Sequence, residues 1–443
     1  MKYFLLIISF LMIGCGFGGF TVKTGDLATA YRNQADLNPE KICTPYMLEK
    51  VWDLINKGSY YGFTKDDLHR WSGDELSKLA GSNLSWMTLY PQKIFDIWAK
   101  IDMVARDKKL TRSEVCYTVI KGIIKNLKKY DKWANFSDAV EGEKRFSGMI
   151  GSDYYGLGFL MKADYKNSRL FVSHVYKDSP AEKGGMKDFD EIFSIDKKVI
   201  GKLDIKKVMI QFRGKRGSKV KVLIKRKSWK APRTLTFIRD LVPYKDARCY
   251  MIGEIAYCKV FGFTKNTVKY FEDELSELPN YNKLIVDFRD NPGGLIFSAT
   301  NMLNRMWVKD MTLAILVKRE YGFVPFGDNT HKEQLLKNKK VVVLINKGSA
   351  SATELVVAAL KDYKSATLMG ETTFGKGVSQ TNHFILGAVL AYTSMHFISP
   401  HGNIINEIGV SPDIKVGMTL EDFIDNNDTQ LNAAIKLLKK ESL

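Results

Sequence analysis

With 443 residues, 45 % of them hydrophobic and 26 % charged, the chain has apolar material for two or three domains with cores of their own. Its 67 lysines and arginines against 49 aspartates and glutamates give a net charge of +18, scattered throughout with a modest concentration from Lys206 to Arg233. A basic surface suits anionic phospholipid or acidic substrates, but no stretch has the form of a nucleic-acid motif and the five cysteines show no metal-ligand spacing, so no nucleic acid, metal or organic cofactor is expected and the charge reads as a solvated surface with weak envelope affinity.

Met1-Lys2 is a short basic start, and Tyr3 to Ile13 is an apolar run too short to span a bilayer as a stable anchor. It ends in Met12-Ile13-Gly14-Cys15, which resembles a bacterial lipobox, where cleavage precedes the cysteine and the thiol is acylated. Residues 1–14 are therefore expected to be a lipoprotein signal peptide, Cys15 the lipidation site, and residues 15–40, polar and without periodicity, a tether. The expected location is the bacterial cell envelope, exported, lipid-anchored to a membrane and facing the periplasm; Gly16 in place of aspartate favours the outer membrane by analogy. Cys43, Cys116, Cys249 and Cys258 remain, an even number for an oxidising compartment. Cys43–Cys116 and Cys249–Cys258 are candidate bridges, with three connectivities open and the free state open as well.

Residues 41–147 read as a helical region, with Met47, Leu48, Val51, Trp52, Leu54 and Ile55, then Val115, Val119, Ile120, Ile123, Ile124 and Leu127, at helical spacing. These stripes read as core or as a dimer surface. Over residues 148–240 the pattern becomes β-rich. Tyr155-Gly156-Leu157-Gly158-Phe159 is a glycine-containing loop before a strand; Ser179-Pro180-Ala181 leads to Gly184-Gly185-Met186; Asp204 to Phe212 is amphipathic and ended by Gly214; and Val220 to Arg226 alternates as a strand does. The region resembles a PDZ domain. That resemblance implies that the amides of Tyr155, Gly156, Leu157, Gly158 and Phe159 receive a peptide's terminal carboxylate and that the strand from Phe159 pairs with the ligand. Asp188-Phe189-Asp190 stands where the family usually has Pro-Gly-Asp, so that turn has to be made without glycine.

In residues 241–417, Lys283 to Arg289 and Val341 to Ile345 are apolar, β-branched runs that read as buried strands. The first ends in Asp290-Asn291-Pro292-Gly293-Gly294. The second runs through Asn346-Lys347-Gly348-Ser349-Ala350-Ser351-Ala352-Thr353-Glu354 into a helical pattern at Leu355 to Leu360, so small residues sit at a strand-to-helix turn, where open α/β sheets place ligands. A serine there needs a base. His331, His383, His396 and His401 fall in no recognisable triad pattern, whereas Lys376, between Gly375 and Gly377, becomes a base if desolvated, with Gln380 placed to orient it. Paired glycines after a strand expose N–H groups, and with the Ala352 amide they make an oxyanion hole. Read alone, Ser351 to Glu354 also fits a capping box, with Ser351 a helix N-cap.

Together the stretches Asp287 to Gly294, Gly348 to Glu354 and Gly370 to Gln380 resemble the carboxyl-terminal processing (tail-specific) proteases, serine–lysine peptidases with a PDZ domain. The resemblance covers roughly residues 110 to 440. It implies an α/β multidomain protein with a crotonase/Clp-like serine peptidase core, an inserted PDZ domain, an N-terminal helical region and a C-terminal helix over 418–443. It implies Ser351 as nucleophile, Lys376, 25 residues on, as base, Gln380 as its orienter, and Gly293 or Gly294 with Ala352 as oxyanion donors. The implied partners are proteins with exposed C-terminal tails and a second copy of the chain. Thr353 replaces the family's usual serine, and Asp131-Lys132-Trp133-Ala134-Asn135-Phe136-Ser137 replaces its Asp-Pro-His-Ser stretch; neither departure is expected to touch the dyad. The competing reading is a non-catalytic PDZ adaptor or peptide-binding envelope lipoprotein on the same fold.

Overall fold

The computed structural model describes residues 43–81, 94–138, 154–164, 167–200, 208, 211–242, 245–307, 311–327 and 334–440. The stretches expected to be a signal peptide and a tether, Cys15, His331 and most of the helix expected from Asp204 lie outside the described residues. The chain forms two compact units. One combines residues up to Phe146 with 310–329 and 375–409; the other combines 147–309, 330–374 and 410–443.

In the first unit, α1 (Pro45–Gly58), α2 (Lys65–Ala80), α3 (Ile94–Lys108) and α4 (Arg112–Leu127) form the expected helical region. Their starts are set by threonine caps: Thr44, Thr64 and Thr111 are extended, and each side chain accepts a first-turn amide. Pro45 opens α1, where its missing N–H costs nothing. The predicted stripes are buried, except that Leu54 is only partly so, and Cys43 is disulfide-bonded to Cys116. The same core takes in Ile385, Ala388, Leu390 and Tyr392 from a sheet of β1 (Asn135–Ser137), β13 (Ala314–Lys318), β14 (Gly322–Phe326), β17 (Val378–Ile385) and β18 (Ala388–Ile398). Sequence reading placed all of 241–417 in one core. The structure instead draws 314–326 and 378–398 into the helical unit, because the β17–β18 hairpin supplies an apolar face that the helices cover. Asp131, fully buried, fastens the join: its carboxylate accepts the Thr393 amide (2.7 Å), the Thr393 hydroxyl (2.8 Å) and the Trp133 amide (3.1 Å).

In the second unit, β3 (Phe159–Asp164), β4 (Arg169–Val175), β5 (Glu191–Ile195), β7 (Lys219–Lys225) and β8 (Arg233–Ile238) form an antiparallel sheet in that order, with β6 (Lys198–Val199) beside β5, while β2 (Tyr154–Gly156) pairs with β9 (Asp240–Val242). The short helix α5 (Pro180–Lys183) is capped by Ser179, whose Oγ accepts the Glu182 amide at 3.2 Å. The glycine-free turn is made by Phe189 itself at φ 69°, a left-handed backbone that a bulky residue adopts only when its neighbours hold it there. Asp188 Oδ1 accepts the Val175 amide (2.7 Å), Asp190 is fully buried with Arg226 bonded to both its oxygens (2.7 and 2.8 Å), and the Phe189 ring sits edge-on to Phe423 in α9 (Leu420–Ile424).

Beside it lies a six-stranded sheet in the order β10 (Ala247–Ile252), β11 (Ile255–Val260), β12 (Lys283–Asp287), β15 (Lys340–Ile345), β16 (Thr367–Gly370), β19 (Ile414–Lys415), parallel except for β10. Cys249 and Cys258 face each other across β10 and β11 and are disulfide-bonded. The helices are α6 (Thr267–Ser276), α7 (Ile296–Met306), α8 (Ala352–Asp362) and α10 (Thr429–Lys440). Ala434 and Leu438 of α10 bury Ile255, Tyr257, Ile285, Val342 and Leu344 on one face of the sheet. The strand read as ending at Arg289 ends at Asp287, where the chain turns out of the sheet.

In the helical unit His383 Nε2 lies 2.8 Å from the Tyr392 hydroxyl. Burial, with the Lys50 charge, pushes its pKa down to about 4, against about 6.5 in an unfolded chain. The unfolded state therefore binds a proton that the native state refuses. Stability from this group is complete above about pH 6.5 and falls as the pH drops toward 4. Urea midpoints between pH 7 and 4.5 should decline less steeply for His383→Gln than for the wild type.

Candidate active site

β12 and β15 are parallel neighbours with Asp287 in register with Leu344, so the loops leaving their C-terminal ends emerge side by side. The first loop is anchored below by buried charge. Arg289 bonds both oxygens of Asp287 (2.7–3.1 Å) and both oxygens of Asp428 (2.7 Å each), while Tyr257 Oη donates to Asp287 at 2.6 Å and Lys259 Nζ lies 3.1 Å away. Burial alone would push the Asp287 carboxyl up; the Arg289 and Lys259 charges and the donated hydrogen bonds outweigh it and hold the group well below the usual carboxylate range. Burial next to that carboxylate pushes Tyr257 well up, so it stays a donor.

Above this anchor the two loops clasp each other. Asn346 Oδ1 accepts the amides of Asp290 and Gly348 (2.9 Å each), and Asn346 Nδ2 donates to Asp290 Oδ1 (3.0 Å). The Asn291 carbonyl accepts the Ala350 amide (2.9 Å) and the Thr353 hydroxyl (3.2 Å), and its side chain donates to Val260 O (3.1 Å). Thr353, in place of serine, therefore ties the start of α8 to the glycine loop. Ser349 is fully buried and spent on structure, donating to Phe288 O (2.9 Å) and accepting the Asn346 amide (3.0 Å). That separates it from Ser351.

Ser351 has φ 58° and ψ −120°. Among the described residues the threonine caps Thr44, Thr64, Thr111 and Thr419 are extended and bond through their side chains, whereas Ser351 makes no side-chain cap bond. The capping-box arrangement expected from the sequence is present, with the Ser351 side chain on the side of the Glu354 amide and the Ser351 amide donating to Glu354 Oε2 at 2.8 Å. The Glu354 amide gives its hydrogen bond to the Ser351 carbonyl at 2.8 Å. Glu354, itself fully buried, is held from the far side by the Thr373 hydroxyl (2.6 Å), which accepts the Val410 amide (2.7 Å). A non-glycine residue in this region costs about 1–3 kcal/mol, and the carboxylate grip on its amide helps to hold it there.

Gly293 and Gly294 lie against this turn and have left-handed φ of 93° and 147°. A Cβ on Gly293 would stand 2.6 Å from Ala350 O and 2.8 Å from Ala352 N, and one on Gly294 2.1 Å from Phe263 O, so neither position admits a side chain. Sequence reading left both as oxyanion donors. The Gly293 amide is already given to Asn291 Oδ1 at 2.9 Å, so that assignment is corrected. Gly294 N–H and Ala352 N–H carry no such bond among the described residues.

In the other unit, Lys376 Nζ donates to Gln380 Oε1 at 2.9 Å, as expected, and lies 4.4 Å from the centre of the Trp133 ring. Gln380 Nε2 donates to the Trp133 carbonyl at 2.7 Å. The expectation that the 131–137 segment stays clear of the lysine is therefore wrong. β1 pairs with β18 antiparallel, and β18 with β17, which brings the segment just before β1 beside Gln380. In the same unit His383 is committed to Tyr392 and the His396 ring lies tilted against Tyr60 with ring centres 4.2 Å apart.

In the antiparallel domain the loop from Tyr155 to Phe159 leads into edge strand β3. Leu157 O accepts the Ala181 amide (2.7 Å), Gly158 O accepts the Tyr176 amide (3.0 Å), and the Phe159 ring sits edge-on to Phe212 with centres 4.8 Å apart. With its carbonyls so used, the loop is held from behind. Among the described residues no group of three or more His, Cys, Asp or Glu could hold a metal ion.

Residues 254–416 match the model for peptidase family S41, and residues 150–225 match the PDZ domain. The chain is 32 % identical over 313 residues to the "Probable CtpA-like serine protease" of Staphylococcus epidermidis, covering 70 % of this chain and 62 % of that one. The protein of the same name from Staphylococcus haemolyticus is 32 % identical over 320 residues, covering 70 % and 61 %. The chain thus spans about three fifths of the length of the curated relatives it matches. Among solved structures, photosystem II D1 C-terminal processing protease superposes with a TM-score of 0.53 at 23 % identity, covering 86 % of this chain and 96 % of that one, a likeness of fold.

If the Ser351 hydroxyl caps nothing, deleting it costs little. Ser351→Ala should change stability by less than about 0.5 kcal/mol, whereas Thr111→Ala, which removes a true cap, should cost about 1 kcal/mol, both read from urea denaturation.

Proposed function

On a chain whose residues 254–416 belong to peptidase family S41 and whose residues 150–225 are a PDZ domain, we propose the activity of an exported serine endopeptidase that takes hold of C-terminal tails and cleaves them with a Ser351–Lys376 dyad. The observation that carries this reading is Ser351 itself: a strained backbone, an amide gripped by Glu354, and a side chain that makes no cap bond. Strain of this kind clusters at catalytic positions.

A substrate tail would enter at the Tyr155–Phe159 loop, its carboxylate on backbone amides and its strand added to the β3 edge. Ser351 Oγ attacks the scissile carbonyl carbon while its proton passes to uncharged Lys376 Nζ. The carbonyl oxygen becomes an oxyanion held by the Gly294 and Ala352 amides, each donor contributing roughly 3 kcal/mol to the transition state. Collapse breaks the C–N bond, and the Lys376 ammonium returns its proton to the leaving amine. Water then attacks the acyl ester, losing a proton to Lys376, and Ser351 Oγ leaves reprotonated. While Lys376 carries the proton, Gln380 Oε1 and the π face of Trp133 are the groups that stabilise it.

Covalent connectivity supports the pairing. The Phe374 amide is bonded to Ser349 O at 3.0 Å, and Lys376 follows Phe374 by two residues in the chain. Export is supported by the two disulfides and by the run from Met1 to Cys15, where cleavage before Cys15 and acylation of its thiol would anchor the protein to an envelope membrane. Mass spectrometry of the protein isolated from its cells would show a lipidated N-terminal Cys15, or an unprocessed start that overturns the anchor.

Purified wild type should cut an unstructured protein with an apolar C-terminus, with products followed by mass spectrometry. Ser351→Ala should abolish the cutting while tail binding persists, and Lys376→Ala should lose it at every accessible pH. Turnover retained in either variant would overturn the dyad.

A further inference from the structure

The positive charge is not evenly spread. Between residues 196 and 240 stand sixteen lysines and arginines against three aspartates, a net +13 out of the chain's +18. At one end of the antiparallel sheet part of this charge is gathered on described, exposed residues. Ile195 at the end of β5 is in register with Val222, and the turn after it is stitched to β7 by Asp196 N–H to Lys221 O and Lys221 N–H to Asp196 Oδ1, both 2.8 Å. Lys197 stands in that turn, Lys219 and Lys221 on one side of β5 and Lys198 on the other, all at the same end of the sheet. All four are exposed, and none has a carboxylate ion pair among the described residues. Asp196, in the same turn, gives its Oδ1 to the Lys221 amide, and Asp240 pairs with Arg216. Two aliphatic side chains stand out from the same end, Val199 at 52 % exposed and Ile238, opposite Lys219, at 55 %.

We propose that this end of the sheet is a docking surface for an anionic lipid bilayer, a contact made by the folded PDZ domain and separate from any anchor at Cys15. Unpaired lysines at a sheet end meet a negatively charged headgroup layer all at once, and each such residue multiplies binding about fivefold. The exposed Val199 and Ile238 decide between occupants. Between lysines they can enter the headgroup–acyl boundary, whereas an acidic polypeptide or another soluble polyanion gives them nothing to bury against. The lysine stems, apolar up to the ammonium, suit the same boundary.

The test is sedimentation of the full chain with vesicles of phosphatidylcholine alone and of phosphatidylcholine with about one third phosphatidylglycerol, at low and high salt. Comparing the two lipid mixtures removes any contribution of the N-terminal apolar run. The wild type should bind the anionic vesicles about 100-fold more tightly than the neutral ones, with the difference screened at high salt. Lys219→Glu/Lys221→Glu should remove nearly all of that difference, while Lys121→Glu/Lys125→Glu, the same charge change on exposed residues of the helical unit, should leave most of it. Ile238→Asp should weaken binding to the anionic vesicles with the lysines intact. Equal losses in the two lysine double variants would reduce the effect to net charge and overturn the proposal. So would the absence of any difference between the vesicles, or a preference for soluble poly-glutamate over the anionic bilayer.

Discussion

The clasp between the two strand-end loops is the constraint on which the six-stranded sheet and its candidate site rest. One carbonyl, that of Asn291, accepts both the Ala350 amide and the Thr353 hydroxyl, while its side chain reaches back to Val260 and forward to Gly293. A residue that faces the glycine loop, the serine turn and the sheet together leaves neither loop free to move alone. Beneath it the Asp287–Arg289–Asp428 network fixes where the loop leaves β12. Such a buried ionic cluster is weak evidence of stability, since desolvation offsets much of its attraction; what it supplies is a single permitted position. The left-handed glycines follow from the closeness of that fit.

The helical unit is organised by a different kind of lock. Asp131 satisfies both the amide and the hydroxyl of Thr393 where both residues are fully buried, and leaving either donor unmet would cost about 1–3 kcal/mol. It thereby sets the position of Trp133, two residues on, and Trp133 in turn meets Lys376 with its ring and Gln380 with its carbonyl. The environment of the lysine is thus assembled from a segment almost 250 residues earlier in the chain, through the pairing of β1 with β18 and of β18 with β17.

This explains which parts were legible in the sequence. Ser351, Lys376, Gln380 and the paired glycines sit in short motifs whose spacing is local, and strands such as β15 announce themselves by unbroken β-branched runs. The roles of Asn291, Glu354 and Thr373 lie inside or beside the same motifs, but their bonds depend on which loops lie side by side, which spacing does not state. Trp133 carried no signal at all, since its meeting with Lys376 is made by sheet order. The glycine-free turn at Phe189 was foreseen as a difficulty, and its solution, a left-handed phenylalanine held by Asp188, Asp190 and Phe423, could not be. The capping-box pattern at Ser351 was a true pattern, but the sequence did not show that its serine would stand on a left-handed backbone with its amide gripped by the Glu354 carboxylate.

The ring of Phe189 resting on Phe423 has a bearing on how this protein can change over generations. A glycine at 189 would relax the backbone yet leave Phe423, carried on the C-terminal segment, facing a hollow. A change at 423 alone would strand a strained phenylalanine without the contact that offsets its strain. The two positions, more than two hundred residues apart, are therefore expected to drift as a pair. A PDZ module transplanted from a relative with a glycine turn would arrive mismatched to the C-terminal segment it has to meet.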